Sequence, residues 1–122
     1  MDNFIDNIPD DGVASKMEEI YVALKEIECV RFSKELSEEE RLNIEHAAVD
    51  LRSEERKLIG SINKDIIEQI KQSSLSLDQL AKRVRERSTK LSKTAKGVDK
   101  VTKAIVVVVD IIERLNKQLS LS

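Results

Sequence analysis

His46 and Cys29 are the residues of this 122-residue chain whose types could most readily do chemistry. A histidine titrates near neutrality and can carry a proton, and a cysteine thiolate can act as a nucleophile. Each is the only residue of its kind in the sequence, so a metal site built from several His or Cys ligands cannot form. His46 is flanked by Glu45 and Ala47, and Cys29 lies far from it along the chain, in no nucleophile signature. The Glu-x-x-His pairs of di-iron bundles are missing. Gly12, Gly60 and Gly97 are scattered, so no glycine-rich loop exists to cradle a phosphate. The expectation is a noncatalytic protein that uses neither cofactor nor metal.

Binding is what the spacing does support. Leu77, Val84, Leu91, Val98, Ile105, Ile112 and Leu119 stand seven residues apart. A second series, Leu80, Arg87, Thr94, Val101, Val108, Leu115 and Ser122, follows three residues behind. A stripe repeating every 3.5 residues stays against a neighbour only when helices coil about one another. Ala81, Ser88, Ala95, Thr102 and Val109 lie beside the second series and widen the stripe, which calls for three or four helices around one core. The chain supplies about three, so the third helix is expected to recruit a further partner. The expected contact residues are Leu91, Val98, Val101, Ile105, Val108, Ile112 and Leu115. Arg87 and Thr94, polar where apolar residues are due, would set the register. Arg87 could meet Glu55 across the layer, or extend its stem to water.

The elements that would position these residues are helices. Charged residues make up 36% of the chain, and there are one proline, three glycines, and only Phe4, Tyr21 and Phe32 as aromatics. That composition favours long helices over sheets. Residues 1–11 read as an acidic arm in which Phe4, Ile5 and Ile8 could dock on this chain or another. Residues 12–122 read as a single helical domain. Val13, Met17, Ile20, Leu24 and Ile27 form one face of a first helix over about 12–32, with Glu18 and Glu19 expected mostly outward. Ser37 with Glu40 is a capping box opening a second helix, 37–72, whose face carries Ile44, Ala48, Leu51, Leu58, Ile62, Ile66 and Ile70. Gly60 falls inside it, where it would permit close helix approach. Ser76 with Gln79 is another capping box, with Leu75 and Leu80 placed as a hydrophobic staple. It opens a third helix, 77–119, about 65 Å long at 1.5 Å per residue. The expected fold is all-α: an elongated helical bundle or antiparallel coiled-coil hairpin with a shorter N-terminal helix.

Charge is divided along the chain. Residues 1–58 hold 16 acidic and 8 basic residues, and residues 59–122 hold 7 and 13. The steepest stretch, 82–103, could bind nucleic acid or anionic membrane. It could equally pack against the acidic half of its own chain or of a sister subunit, and it lacks helix-turn-helix spacing or aromatic platforms. Val101–Leu115 could lie on a membrane, although the heptad accounts for the same residues. The longest apolar run, Ala104–Val109, is too short to span a bilayer. The unpaired Cys29 and the acidic N-terminus point to the reducing cytoplasm. The expected role is that of a scaffold, adaptor or inhibitor-type subunit whose partner is itself, as a homo-oligomer, or another helical protein. Nucleic acid or anionic membrane is the alternative partner.

Overall fold

The computed structural model describes residues 12–73, 75–94 and 99–121, and the side chains of all of these except 87–94 and 118–121. These residues are all-α. Among them are five helices: α1 Val13–Val30, α2 Glu38–Ile59, α3 Lys64–Lys71, α4 Leu77–Thr94 and α5 Lys100–Leu121.

Local chemistry sets the helix starts. Gly12 precedes α1 with φ 81°, a left-handed conformation that glycine adopts without steric cost. Ahead of α2, the Glu40 N–H donates to Ser37 Oγ at 3.0 Å, and the Ser37 N–H donates to Glu40 Oε1 at 3.1 Å. The reciprocal pair satisfies two N–H groups that would otherwise lack partners. Ser76 and Gln79 form the same arrangement ahead of α4, at 3.2 and 2.9 Å. Leu75 packs against the core that contains the buried Leu80, as the staple requires.

Two expected helices are each divided. The second, 37–72, ends at Ile59 and restarts at Lys64. The N–H and hydroxyl of Ser61 both donate to the Leu58 carbonyl, closing the helix end. Asn63 then accepts the Asp65 N–H at 2.7 Å and caps α3. Gly60 is the C-cap residue, with ordinary helical φ −64°, and a Cβ built there would meet nothing closer than 3.9 Å. It marks a helix end, not a close approach of helices. The third expected helix, 77–119, is likewise two. Asp99 Oδ1 accepts the Thr102 N–H at 2.8 Å, the bond of an N-cap residue, and α5 begins at Lys100. A continuous rod of about 65 Å is therefore not formed.

The second division decides the architecture. α5 packs against α1, α2 and α4, and α1 packs against all four other helices. Arg114 pairs with Glu40, and Lys100 with Asp50, so α5 runs antiparallel to α2. Arg85 pairs with Glu113, so α4 and α5 also lie antiparallel. The expected hairpin of 37–72 against 77–119 is replaced by a bundle in which the two halves of the third helix fold onto each other. The number of helices around the core was anticipated, but the extra member comes from this chain.

The main core joins Ile20, Ala23 and Ile27 of α1 to Ile44, Ala48 and Leu51 of α2, Leu80 and Val84 of α4, and Val101, Ile105, Val108, Ile112 and Leu115 of α5. A smaller cluster, Ala14, Met17 and Ile70 with Tyr21, Leu58, Ile62 and Ile66, holds α3 against α1. Ile105 is fully buried. Ile105→Asp should bury an unpaired carboxylate, cost more than about 4 kcal/mol and abolish the helical circular dichroism signal in a melt at ordinary temperature. Gly60→Ala, which meets no obstruction and keeps an allowed φ, should instead raise stability by about 0.5–1 kcal/mol in urea unfolding.

Candidate interaction surface

Burial separates the residues expected to bind a partner from those that could. Val101, Ile105, Val108, Ile112 and Leu115 are all buried among α1, α2 and α4. Their apolar surface is removed from water within one chain. The same burial withdraws Val101–Leu115 from a membrane surface. Leu91, Arg87 and Thr94 lie in α4 by their backbone, with side chains outside those described. Val98 and the arm residues Phe4, Ile5 and Ile8 lie outside the described residues.

The outside of α2 is where large apolar side chains stand in solvent. Leu42 is 61% exposed and Val49 64%, and Phe32, just beyond α1, is 80% exposed. Leu42 and Val49 are seven residues apart, two turns of one face, opposite the buried Ile44, Ala47, Ala48 and Leu51. His46, between them on the same face, is also exposed. Asp50, one turn beyond His46, pairs with Lys100 at 3.5 Å.

Phe32 is tied to this face through Arg31. The guanidinium donates to Glu45 Oε1 from Nε at 3.1 Å and to Oε2 from Nη2 at 2.8 Å. This two-pronged geometry fixes the planes of both groups. The Arg31 guanidinium carbon lies 5.6 Å from the centre of the Phe32 ring, within cation–π range. Phe32 therefore stands beside the Arg31 guanidinium, which is held at Glu45 on the α1 side of the Leu42–Val49 face. Arg52, which donates to Glu28 at 3.3 Å, borders it on the α1 side.

Leu42, Val49 and Phe32 did not figure among the expected contact residues. The signal was present: two apolar residues at heptad spacing on the side of α2 where polar residues are due. The longer apolar series over 77–119 outweighed it, because a heptad says which residues are hidden and not which chain hides them.

Among the described residues, three cations of the basic stretch are engaged within the chain. Arg83 lies 3.6 Å from Glu18, Arg85 pairs with Glu113, and Lys100 pairs with Asp50. Two of these three acidic partners belong to the acidic half, as self-packing of the two halves requires. Lys16 joins the start of α5 through Asp99, at 3.0 Å. Burial pushes the Asp99 carboxyl upward, but the Thr102 N–H and the Lys16 ammonium outweigh it and hold the group below its ordinary value. Arg114 binds Glu40 at 2.6 Å and the Glu35 carbonyl at 3.1 Å, and this guanidinium contact holds the Glu40 carboxyl below the usual range. A carboxyl lowered on folding favours the folded state above its unfolded value, and that contribution fades as pH falls through the folded one.

Glu18 and Glu19 depart from expectation. Both are fully buried, because α1 is surrounded by the other helices and has no broad solvent face at this level. The Glu18 oxygens accept no hydrogen bond among the described residues. Burial raises the Glu18 carboxyl above its ordinary value, Arg83 opposes this, and the adjacent Glu19 adds to it. Tyr21 is raised as well, by burial and then by Glu55 and Glu68. It lines a crevice of about 190 Å³ with Lys25, Ile70, Lys71 and Leu75. Among the described residues no group of three or more His, Cys, Asp or Glu side chains could hold a metal, and no helix is long and apolar enough to cross a membrane.

A carboxyl raised on folding opposes the folded state at neutral pH, and the opposition is relieved as pH falls through its folded value. Glu18→Gln should therefore stabilise the chain at pH 7. The gain should shrink as pH is lowered towards 4.5, read as the difference between the two urea midpoints.

Comparison with models of protein families, with curated proteins and with solved structures finds nothing that matches this chain.

Proposed function

We propose that this chain is a noncatalytic helical interaction module that binds protein through the outer face of α2, and that it works as a scaffold, adaptor or inhibitor-type subunit in the cytoplasm. The observation that carries this is the exposure of Leu42 and Val49 on one face of α2, with Phe32 exposed beside Arg31 at the α1 border of that face, on a bundle whose core is already filled. Scattered exposed apolar residues are ordinary on proteins. Three large ones gathered around one helix face, bordered by Arg52, Glu38 and His46, have the apolar centre and polar rim of an interface. The reading transfers partner binding from the α5 heptad, which is used internally, to α2.

Binding of nucleic acid or anionic membrane through 82–103 draws less support. Arg83, Arg85 and Lys100 are paired with carboxylates of the same chain, and a phosphate would have to compete with those partners.

A photoreactive amino acid placed at position 42, 49 or 105 of the full chain tests the assignment in the cells that make it. Positions 42 and 49 should yield discrete adducts with protein, and position 105 should yield only links within the chain. Adducts from 105 alone, or none from 42 and 49, would overturn it.

A further inference from the structure

We infer that the occupant of the α2 face is a second copy of this chain, bound through antiparallel pairing of α2 with α2 about a two-fold axis passing between Glu45 and His46. The inference rests on α2 being the interaction surface, and it adds the identity and the register of the partner.

The side chains available on α2 fit their own reverse. At about 100° per residue, Leu42, His46 and Val49 fall within an arc of about 60°. An axis between Glu45 and His46 sets Leu42 of one copy against the partner's Val49, and Val49 against the partner's Leu42. Each contact occurs twice, as in any isologous interface. Phe32, held beside Glu45 by Arg31, then stands close to the axis and extends the apolar patch in both copies.

Charge selects the antiparallel arrangement. α2 begins with Glu38, Glu39 and Glu40 and ends with Arg56 and Lys57, with Arg52 a turn earlier. Glu54 and Glu55 stand among these cations and Lys57 already pairs with Glu54, so the complementarity falls on Glu38 and Arg52; antiparallel pairing also opposes the two helix dipoles. Glu38 and Arg52 are both exposed and lie on the α1 side of the face, and the stated axis carries Glu38 to the level of the partner's Arg52. On the α5 side, Glu39 approaches the partner's Lys100, which stands beside Asp50. A parallel pair would instead set Glu38 beside the partner's Glu38 and Arg52 beside the partner's Arg52. The one like-charged pair brought to the axis is Glu45 with the partner's Glu45, and each is already neutralised by its own Arg31. No charged side chain has to be buried without a partner.

An interface made by one helix face and one ring lies at the small end of the range, where association is reversible. Dimerisation on the order of micromolar is expected.

The experiment uses the purified full chain. Sedimentation equilibrium through the micromolar to millimolar range should show a monomer–dimer equilibrium, weakened at least about ten-fold by L42E with V49E at unchanged helical content. Glu38→Arg should weaken it by up to about five-fold, and Glu38→Arg with Arg52→Glu should recover most of that loss. Register is read by oxidation of single-cysteine variants on a Cys29→Ser background. His46→Cys should link to itself, whereas Leu42→Cys and Val49→Cys should each link poorly alone and readily when mixed. A chain that stays monomeric throughout, or one in which Leu42→Cys links to itself as fast as His46→Cys does, overturns the antiparallel dimer. A monomeric chain whose positions 42 and 49 still form adducts in cells would refute self-pairing alone and leave the interaction surface standing. Loss of both would refute the surface itself.

Discussion

The fold turns on the burial of α5. From Val101 to Leu115 this helix carries apolar side chains around most of its circumference, and only Lys103 and Asp110 are fully open to water. No single neighbour can cover such a helix, since one helix shields only one stripe of another. α1, α2 and α4 together enclose it. Each Val, Ile or Leu removed from water contributes on the order of 1.5–3 kcal/mol, so enclosing α5 is a strongly favourable step for the chain. Reversal of direction between α4 and α5 follows from that need. Only a chain that doubles back can supply the third wall from its own length.

Electrostatics then fixes how the walls are arranged. Arg114 to Glu40 and Lys100 to Asp50 pin the two ends of α5 along α2, while Arg31 to Glu45 and Arg52 to Glu28 tie the C-terminal end of α1 to the middle of α2. These pairs are partly exposed, and each contributes little to stability alone. Their value is directional, because an apolar core specifies burial without specifying which end of a helix meets which. Glu40 links the two levels, since one carboxylate both closes the capping box of α2 and receives Arg114. The same helix start that is set by local sequence therefore also receives the far end of the chain. Glu18 stands at the opposite extreme: its position in the surrounded helix works against stability, with Arg83 offsetting part of the cost.

With α5 enclosed, the apolar surface left over becomes informative. α2 has its inner face against α1 and α5 and keeps Leu42 and Val49 outside. On the reading proposed above, Leu42 and Val49, which the core has no use for, are kept for contact with another surface. α2 thus serves twice, as a wall of the bundle and as its outward-facing edge.

Much was legible from sequence because it depends on neighbours a few residues apart. Helical class followed from composition, and the starts at Ser37 and Ser76 followed from side chains reaching backbone groups one turn away. The widened stripe beside Val101 and Val108 correctly called for three or four helices around it. Two further caps, Asn63 after Gly60 and Asp99 after Gly97, were equally local, yet continuous apolar spacing across both hid them. A heptad can run through a break when the two segments happen to keep phase. What residues alone could not decide was the destination of each face. Burial of Glu18 and Glu19 depends on four helices converging on α1, and Ile105 meets α1, α2 and α4 rather than another molecule because the chain turns back before Lys100. Periodicity identifies surface that must leave water, but only the tertiary arrangement determines whether the same chain or a second one removes it, since the hydrophobic effect measures area covered and is blind to what covers it.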